Sequence, residues 1–173
     1  MRTFVLGKLV VGITPLVLIL LSCRASTVSI PNSWDTYHNP RYSFEFPYPR
    51  NWIAFPMPDN RDGRAFRDPN NPTLEIRGWA GHKLSEIRVS TSKKSVKQSP
   101  TPQRQNFTTD QGVTGELQVD VGSDISFMTL TLSQGKVQYH WQGQSESKQF
   151  ADNYRFFYYV ATRYRLPPPE DKN

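Results

Sequence analysis

The chain has 173 residues, with 21 Lys and Arg against 15 Asp and Glu, a net charge of +6 at pH 7. So mild a basic excess does not mark a nucleic-acid-binding surface, and a single cysteine excludes an intrachain disulfide. Ten Phe, eight Tyr, four Trp and 14 Pro favour strands joined by turns over a helical bundle.

Residues 1–8 carry Arg2 and Lys8 and no acid, and residues 9–22 are apolar except for Thr14 and Ser22. A basic start followed by a short apolar run is the layout of a signal peptide. A membrane-spanning helix needs about 20 apolar residues, more than this run supplies. The run ends in Leu20-Leu21-Ser22-Cys23, which resembles the lipobox of bacterial lipoproteins, with Leu three residues before the cysteine and a small residue directly before it. The resemblance implies cleavage after Ser22 and attachment of diacylglycerol to the Cys23 thiol. The competing reading is an ordinary signal peptide with a cysteine near its cleavage site. Acyl chains contribute about 0.8 kcal/mol per buried methylene, enough for two or three of them to hold the chain permanently. Arg24 is not the aspartate associated with inner-membrane retention, which leaves the choice of membrane open.

Without residues 1–22 the chain keeps 151 residues and a charge of +4, since that segment takes two basic residues and no acid. This length suffices for one domain burying about 70% of its unfolded surface. Residues 23–34 form a lipidated tether; the nine residues 24–32 reach at most about 30 Å. The folded domain is expected over 35–166, with a proline-rich tail over 167–173.

In residues 41–46, Tyr42, Phe44 and Phe46 alternate, the period of a half-buried strand. "PYPRN" breaks it and "WIAF" begins a second strand. "PDNRDG" is a turn ending in Gly63, "RAFRD" a strand, "PNNP" a turn, and "TLEIRGW" alternates Leu74, Ile76 and Gly78. Gaps this short predict an antiparallel meander. Residues 90–109 are polar, with two prolines, and read as a long basic insert. "GVTGELQVDV", "ISFMTLTL" and "KVQYHW" resume strand periodicity, with Val137, Tyr139 and Trp141 on one face. Phe150, Tyr154, Phe157, Tyr158, Ala161 and Tyr164 then make one stripe of a helix of about five turns. Ser145 or Ser147 is a candidate N-cap, Arg163 and Arg165 suit the C-terminal end, and the prolines from Pro167 to Pro169 stop it.

"YSFEFPYPRNW" near the start and "FADNYRFFYYVATRYRL" near the end together resemble the PsbP family, including small lipoproteins of photosynthetic bacteria. The resemblance implies an α/β/α sandwich and a non-catalytic role in assembling or stabilising photosynthetic membrane complexes on the lumenal side. It transfers no binding residue, because the family has no fixed motif that aligns here.

Catalytic and metal chemistry find little footing. "GQSES" at residues 143–147 lacks the second glycine of a nucleophile elbow, and His140 reads as a surface or edge histidine. His38, His82 and His140 are scattered, without a second ligand at metal-binding spacing. A calcium loop aligned on Gly63 would put Pro58 and Pro69 where carboxylates are needed. "QGKV" lacks the spacing of a phosphate loop, and Asn106 heads a glycosylation sequon that a bacterial lipoprotein would not use. Neither a cofactor nor a metal is expected.

Two surface features remain. Arg88, Lys93, Lys94, Lys97 and Arg104 lie in a stretch without acids; they form a membrane-orienting basic loop or simply a solvated one. On the last helix, Phe156 and Tyr159 fall opposite the core stripe in line with Asp152, Arg155 and Arg163, a pattern suited to partner docking, unless residues 27–34 or the tail cover it.

These readings combine into an α+β fold, an antiparallel sheet packed by a C-terminal helix and by a shorter helix or the N-terminal segment. An all-β sandwich with one terminal helix is the alternative. The expected role is that of a lipid-anchored extracytoplasmic accessory protein, periplasmic or on the thylakoid-lumen side, that binds a membrane protein or complex without catalysis. A small-ligand or lipid carrier is the rival, with a pocket lined by Trp52, Tyr139 or Trp141.

Overall fold

A computed structural model describes residues 33–83 and 103–169. Cys23, the apolar run before it, and Arg88, Lys93, Lys94 and Lys97 lie outside the described residues. Strands β1 (Trp34–His38) and β2 (Glu45–Pro49) form an antiparallel pair. Seven more make one antiparallel sheet: β3 (Ile53–Ala54), β4 (Gly63–Asp68), β5 (Asn71–His82), β6 (Gln103–Thr108), β7 (Thr114–Asp120), β8 (Ile125–Gln134) and β9 (Val137–Glu146). Helix α1 (Ser147–Thr162) follows β9 directly. The strand order is β3-β4-β5-β9-β8-β7-β6, so two meanders meet where β5 pairs with β9. This is the expected α+β architecture. The N-terminal strand pair, rather than a second described helix, completes the packing beside α1.

Alternation places Tyr139, Trp141 and Gly143 of β9 on the face beneath α1, with Ile76 of β5 and Met128, Leu130 and Leu132 of β8. The fit of helix to sheet is set at Gly143. A Cβ there would sit 2.3 Å from Phe157 Cδ1, so only glycine lets the Phe157 ring lie against the sheet. Gly78 does the same for Phe46, whose Cε1 would meet an added Cβ at 2.4 Å. At the other end of the core, Phe44, Phe46 and Tyr164 stack with centroids 5.4–6.3 Å apart. Such ring pairs add about 0.5–1.5 kcal/mol beyond their burial. The segment carrying Tyr164 is fixed by reciprocal backbone hydrogen bonds between Glu45 and Arg165.

Of the boundaries that differ from the sequence expectation, four have a local reason. Trp34, expected at the end of the tether, is the first residue of β1. The strand expected over 41–46 starts later, at Glu45, because residues 39–43 form a turn with Ser43 at φ 55°. Asn39 holds that turn, its Oδ1 accepting the Arg41 and Tyr42 N–H groups. The strand then runs through Pro47 and Pro49, which β2 tolerates because its ladder is made on one side, to β1. Within the expected insert, residues 103–108 are strand β6. It is the sheet's edge and buries only Phe107, so its sequence lacks alternation. The helix cap is Glu146, without a side-chain cap bond. Ser145 instead belongs to β9, and the Ser147 N–H donates to the Asp124 carbonyl at 2.9 Å.

The helix is also rotated from its expected setting. Its buried residues are Phe150, Asn153, Phe156, Phe157, Val160 and Ala161, so Tyr154 and Tyr158 turn outward and Phe156 turns in. Two surfaces cover the helix instead of one: the sheet lies under Phe157, and Trp34 and Trp52 close over Phe156 with ring centroids 5.9 and 5.2 Å away.

Gly143→Ala should lower unfolding stability by about 1–3 kcal/mol through overpacking against Phe157. Gly81→Ala, where an added Cβ meets nothing within 4 Å, should leave it within about 0.5 kcal/mol; urea unfolding of both variants checks this. A second test concerns Tyr164, whose buried hydroxyl has no hydrogen-bond partner among the described residues. Burial holds its pKa well above the ordinary tyrosine value. The unfolded phenol ionises near pH 10 and the folded one resists, so stability is full below about pH 10 and falls as pH rises above it. Tyr164→Phe should flatten that alkaline fall in a pH series of melting temperatures. At neutral pH it should cost little or nothing, since the hydroxyl it removes is unpaired.

Candidate docking site

The outward side of α1 is built from two neighbouring rows at helical spacing. Tyr154 and Tyr158 stand one turn apart, and Arg155, Tyr159 and Arg163 form the adjacent i, i+4, i+8 row. Together with Thr162 they line a surface hollow of about 390 Å³. The Tyr154 and Tyr158 rings stack at 6.2 Å, and Phe107 of β6 supports Tyr158 edge-on at 5.3 Å. The Arg163 guanidinium lies 3.8 Å from the centre of the Tyr159 ring. That ring packs in turn against Trp34 at 4.8 Å. Tyr158 is 43% exposed, Arg155 and Arg163 are exposed, and no acidic side chain among the described residues lines the hollow. Chemically the site offers aromatic edges and two cations in a shallow concavity. Such a concavity is suited to binding a surface.

The structure thus brings together three of the four residues singled out for docking, Arg155, Tyr159 and Arg163. It removes the fourth. Phe156 is only 4% exposed, because β1 and the approach to β3 place Trp34 and Trp52 over it. Tyr154 and Tyr158 were not anticipated at this site, whereas Trp34, the end of the stretch that could cover it, does pack on Phe156 and Tyr159. Val160 was the available signal: putting it inward beside Phe157 shifts the buried arc away from Tyr158 and brings Phe156 in. Of the basic run only Arg104 is described, and it lies 3.5 Å from Glu116 of β7.

His140 is not an edge residue. It stands on β9, between β5 and β8, stacked on Trp79 at 5.1 Å with Thr131 Oγ1 3.2 Å from its Nδ1. Burial lowers its pKa, favouring the neutral ring. Ser145, the serine of the "GQSES" run, is fully buried. Trp52, Tyr139 and Trp141, the expected lining of a carrier pocket, are buried at 9%, 4% and 0% exposure in the packed core. A second hollow, about 360 Å³, lies at the β4–β5 end of the sheet beside Trp79. Its arginines are engaged within the protein: Arg64 Nε donates to the Phe55 carbonyl and Arg77 pairs with Glu75. No helix among the described residues is long and apolar enough to cross a membrane.

An antiparallel sheet crossed on one face by a C-terminal helix, with an N-terminal strand pair beside it, defines a PsbP-like α+β fold. The likeness is to the solution structure of cyanobacterial PsbP (CyanoP) from Synechocystis sp. PCC 6803, at a TM-score of 0.52 and 14% identity, over 86% of this chain and 99% of that one. A Bacteroides thetaiotaomicron crystal structure is also similar, at 14% identity over 75% of this chain and 47% of that one, but its TM-score of 0.37 carries no weight. No protein-family model matches the chain, and no curated protein matches it.

Trp34→Ala should uncover Phe156 and cost about 2–4 kcal/mol in unfolding stability. Arg163→Gln, which removes only an exposed charge over Tyr159, should stay within about 1 kcal/mol of the parent. Thermal unfolding of the two variants side by side separates the structural half of this face from the half free to make contacts.

Proposed function

We propose that this protein is a lipid-anchored extracytoplasmic accessory module that binds a membrane protein or complex and carries no catalysis of its own. The observation that carries the reading is the open aromatic–arginine face of α1, set beside Trp34, where the chain coming from Cys23 enters the domain. Aromatic and arginine side chains are the residue types enriched at interface hot spots. Arg155, Tyr159 and Arg163, with Tyr154 and Tyr158, are the residues we assign to partner contact. The lipobox-like Leu20-Leu21-Ser22-Cys23 supports attachment through Cys23. The likeness to cyanobacterial PsbP supports a photosynthetic setting, on the periplasmic or thylakoid-lumen side. In that setting Arg88, Lys93, Lys94 and Lys97 would orient the domain on an anionic surface rather than recruit it, whereas Arg104 is paired with Glu116 on the far side of the sheet from α1. A carrier role has less support, since the aromatic residues proposed to line its pocket pack the core.

The test is recovery of partners from gently solubilised native membranes, comparing the parent with an Arg155→Gln/Tyr159→Ser variant. A stoichiometric partner retained by the parent and reduced at least about tenfold by the variant is expected, corresponding to about 1.4 kcal/mol. Equal recovery by both would sink the docking face. Cys23→Ala should release the chain from the membrane fraction, and unchanged association would refute attachment at Cys23.

A further inference from the structure

We propose that the α1 face lies against the lipid headgroup layer, and that anionic lipid is itself a ligand of the Tyr154–Arg163 hollow. This rests on the reading of the chain as membrane-anchored near Cys23, and it gives the same face a lipid ligand wherever a protein partner does not cover it. Ser33, the first described residue, adjoins Trp34, and Trp34 packs on Tyr159 at 4.8 Å. The anchored end therefore enters the domain on this face. Nine residues separate Cys23 from Ser33, and the ten steps from one to the other reach at most about 35 Å even fully extended. A domain of this size is about 35 Å across, so a path round to its opposite pole is about 55 Å. The tether is too short to present the far side of the sheet to the bilayer. The argument holds whether the attachment is acyl chains on Cys23 or the apolar run ending at Ser22.

The chemistry of the face matches that location. Tyrosine rings settle at the membrane–water interface, where one end is apolar and the other wet. Arginine extends its stem along apolar surface while its head meets the anionic groups. Tyr154, Tyr158 and Tyr159 supply the first type, and Arg155 and Arg163 the second. Among the described residues the hollow is lined by two arginines and no acid, which favours a phosphate or sulfonate headgroup; exposed Asp152 stands beyond its lining, one turn before Arg155.

The experiment uses the full chain reconstituted in vesicles of phosphatidylcholine, alone or mixed equally with phosphatidylglycerol. A photo-crosslinking benzoylphenylalanine is placed at Thr162 in the hollow or, as a control, at Glu116. Glu116 is exposed and alternates with the buried Leu117, so it faces away from α1. Lipid adducts are counted by mass spectrometry. We expect the yield at position 162 to exceed that at 116 by at least about fivefold in the anionic vesicles. It should fall by about fivefold for each charge removed in Arg155→Gln and Arg163→Gln, the weight of one basic residue near such a surface. Equal yields at the two positions, or a yield at 162 indifferent to both arginines, would overturn the proposal. Partner recovery in detergent needs no bilayer, so a partner retained there without lipid adducts refutes this inference alone. A chain that never enters the vesicle fraction refutes the anchoring on which both stand.

Discussion

The contact of Phe157 with Gly143 fixes what the rest of the molecule can do. Because β9 offers no side chain at that point, the ring seats directly on the sheet and locks the rotation of α1 about its own axis. That rotation decides which residues of "YRFFYYVATR" are core and which are surface. Phe156 and Val160 go in; Tyr154, Arg155, Tyr158 and Tyr159 go out. A rotation of one residue would bury an arginine and expose a phenylalanine, so the composition of the outward face follows from one glycine in the sheet.

A single sheet cannot cover both flanks of a helix carrying this many large rings, and the N-terminal strand pair supplies the second cover. Trp34 and Trp52 close over Phe156 while β2 is clipped to Arg165 beyond the end of the helix. One small layer therefore joins three things: the entry of the chain at Trp34, the flank of α1, and the C-terminal segment that carries Tyr164. The closeness of the domain's N-terminal entry to the proposed contact face is thus part of the packing.

Strong periodicity made much of this fold legible in the sequence. β4, β5, β7, β8 and β9 have one buried face, so alternation marks them, and the apolar spacing after Glu146 marks the helix. The edges were harder. β6 lies at the rim and buries one residue, which leaves no pattern to read, and β2 hides behind two prolines that only an edge position permits. The docking face was half legible. Helical geometry placed Tyr159, Arg155 and Arg163 together, but several rows of "FFYYV" are apolar enough to serve as core. Choosing between them required the covering tryptophans, which lie more than a hundred residues away in the sequence. A residue's own neighbours cannot report such a partner. The central position of His140 was missed for the same reason, since strand order depends on the long-range pairing of β5 with β9.

That seam between β5 and β9 also bears on how the molecule assembles. On one side of it, β3, β4 and β5 are joined by short hairpins; on the other, β6 through β9 and α1 follow in unbroken succession. Each half can form from contacts between near neighbours, whereas Trp79 and His140, paired across the seam, are 61 positions apart. Folding speed is governed by such distant closures, so the joining of the two meanders is the natural candidate for the slow step. The chain between β5 and β6 is what that step must close into a loop. Loop closure grows only logarithmically with length, by about 0.6 kcal/mol per doubling. Evolution can therefore lengthen or rewrite that connection at small thermodynamic cost, while the register on either side of it stays fixed.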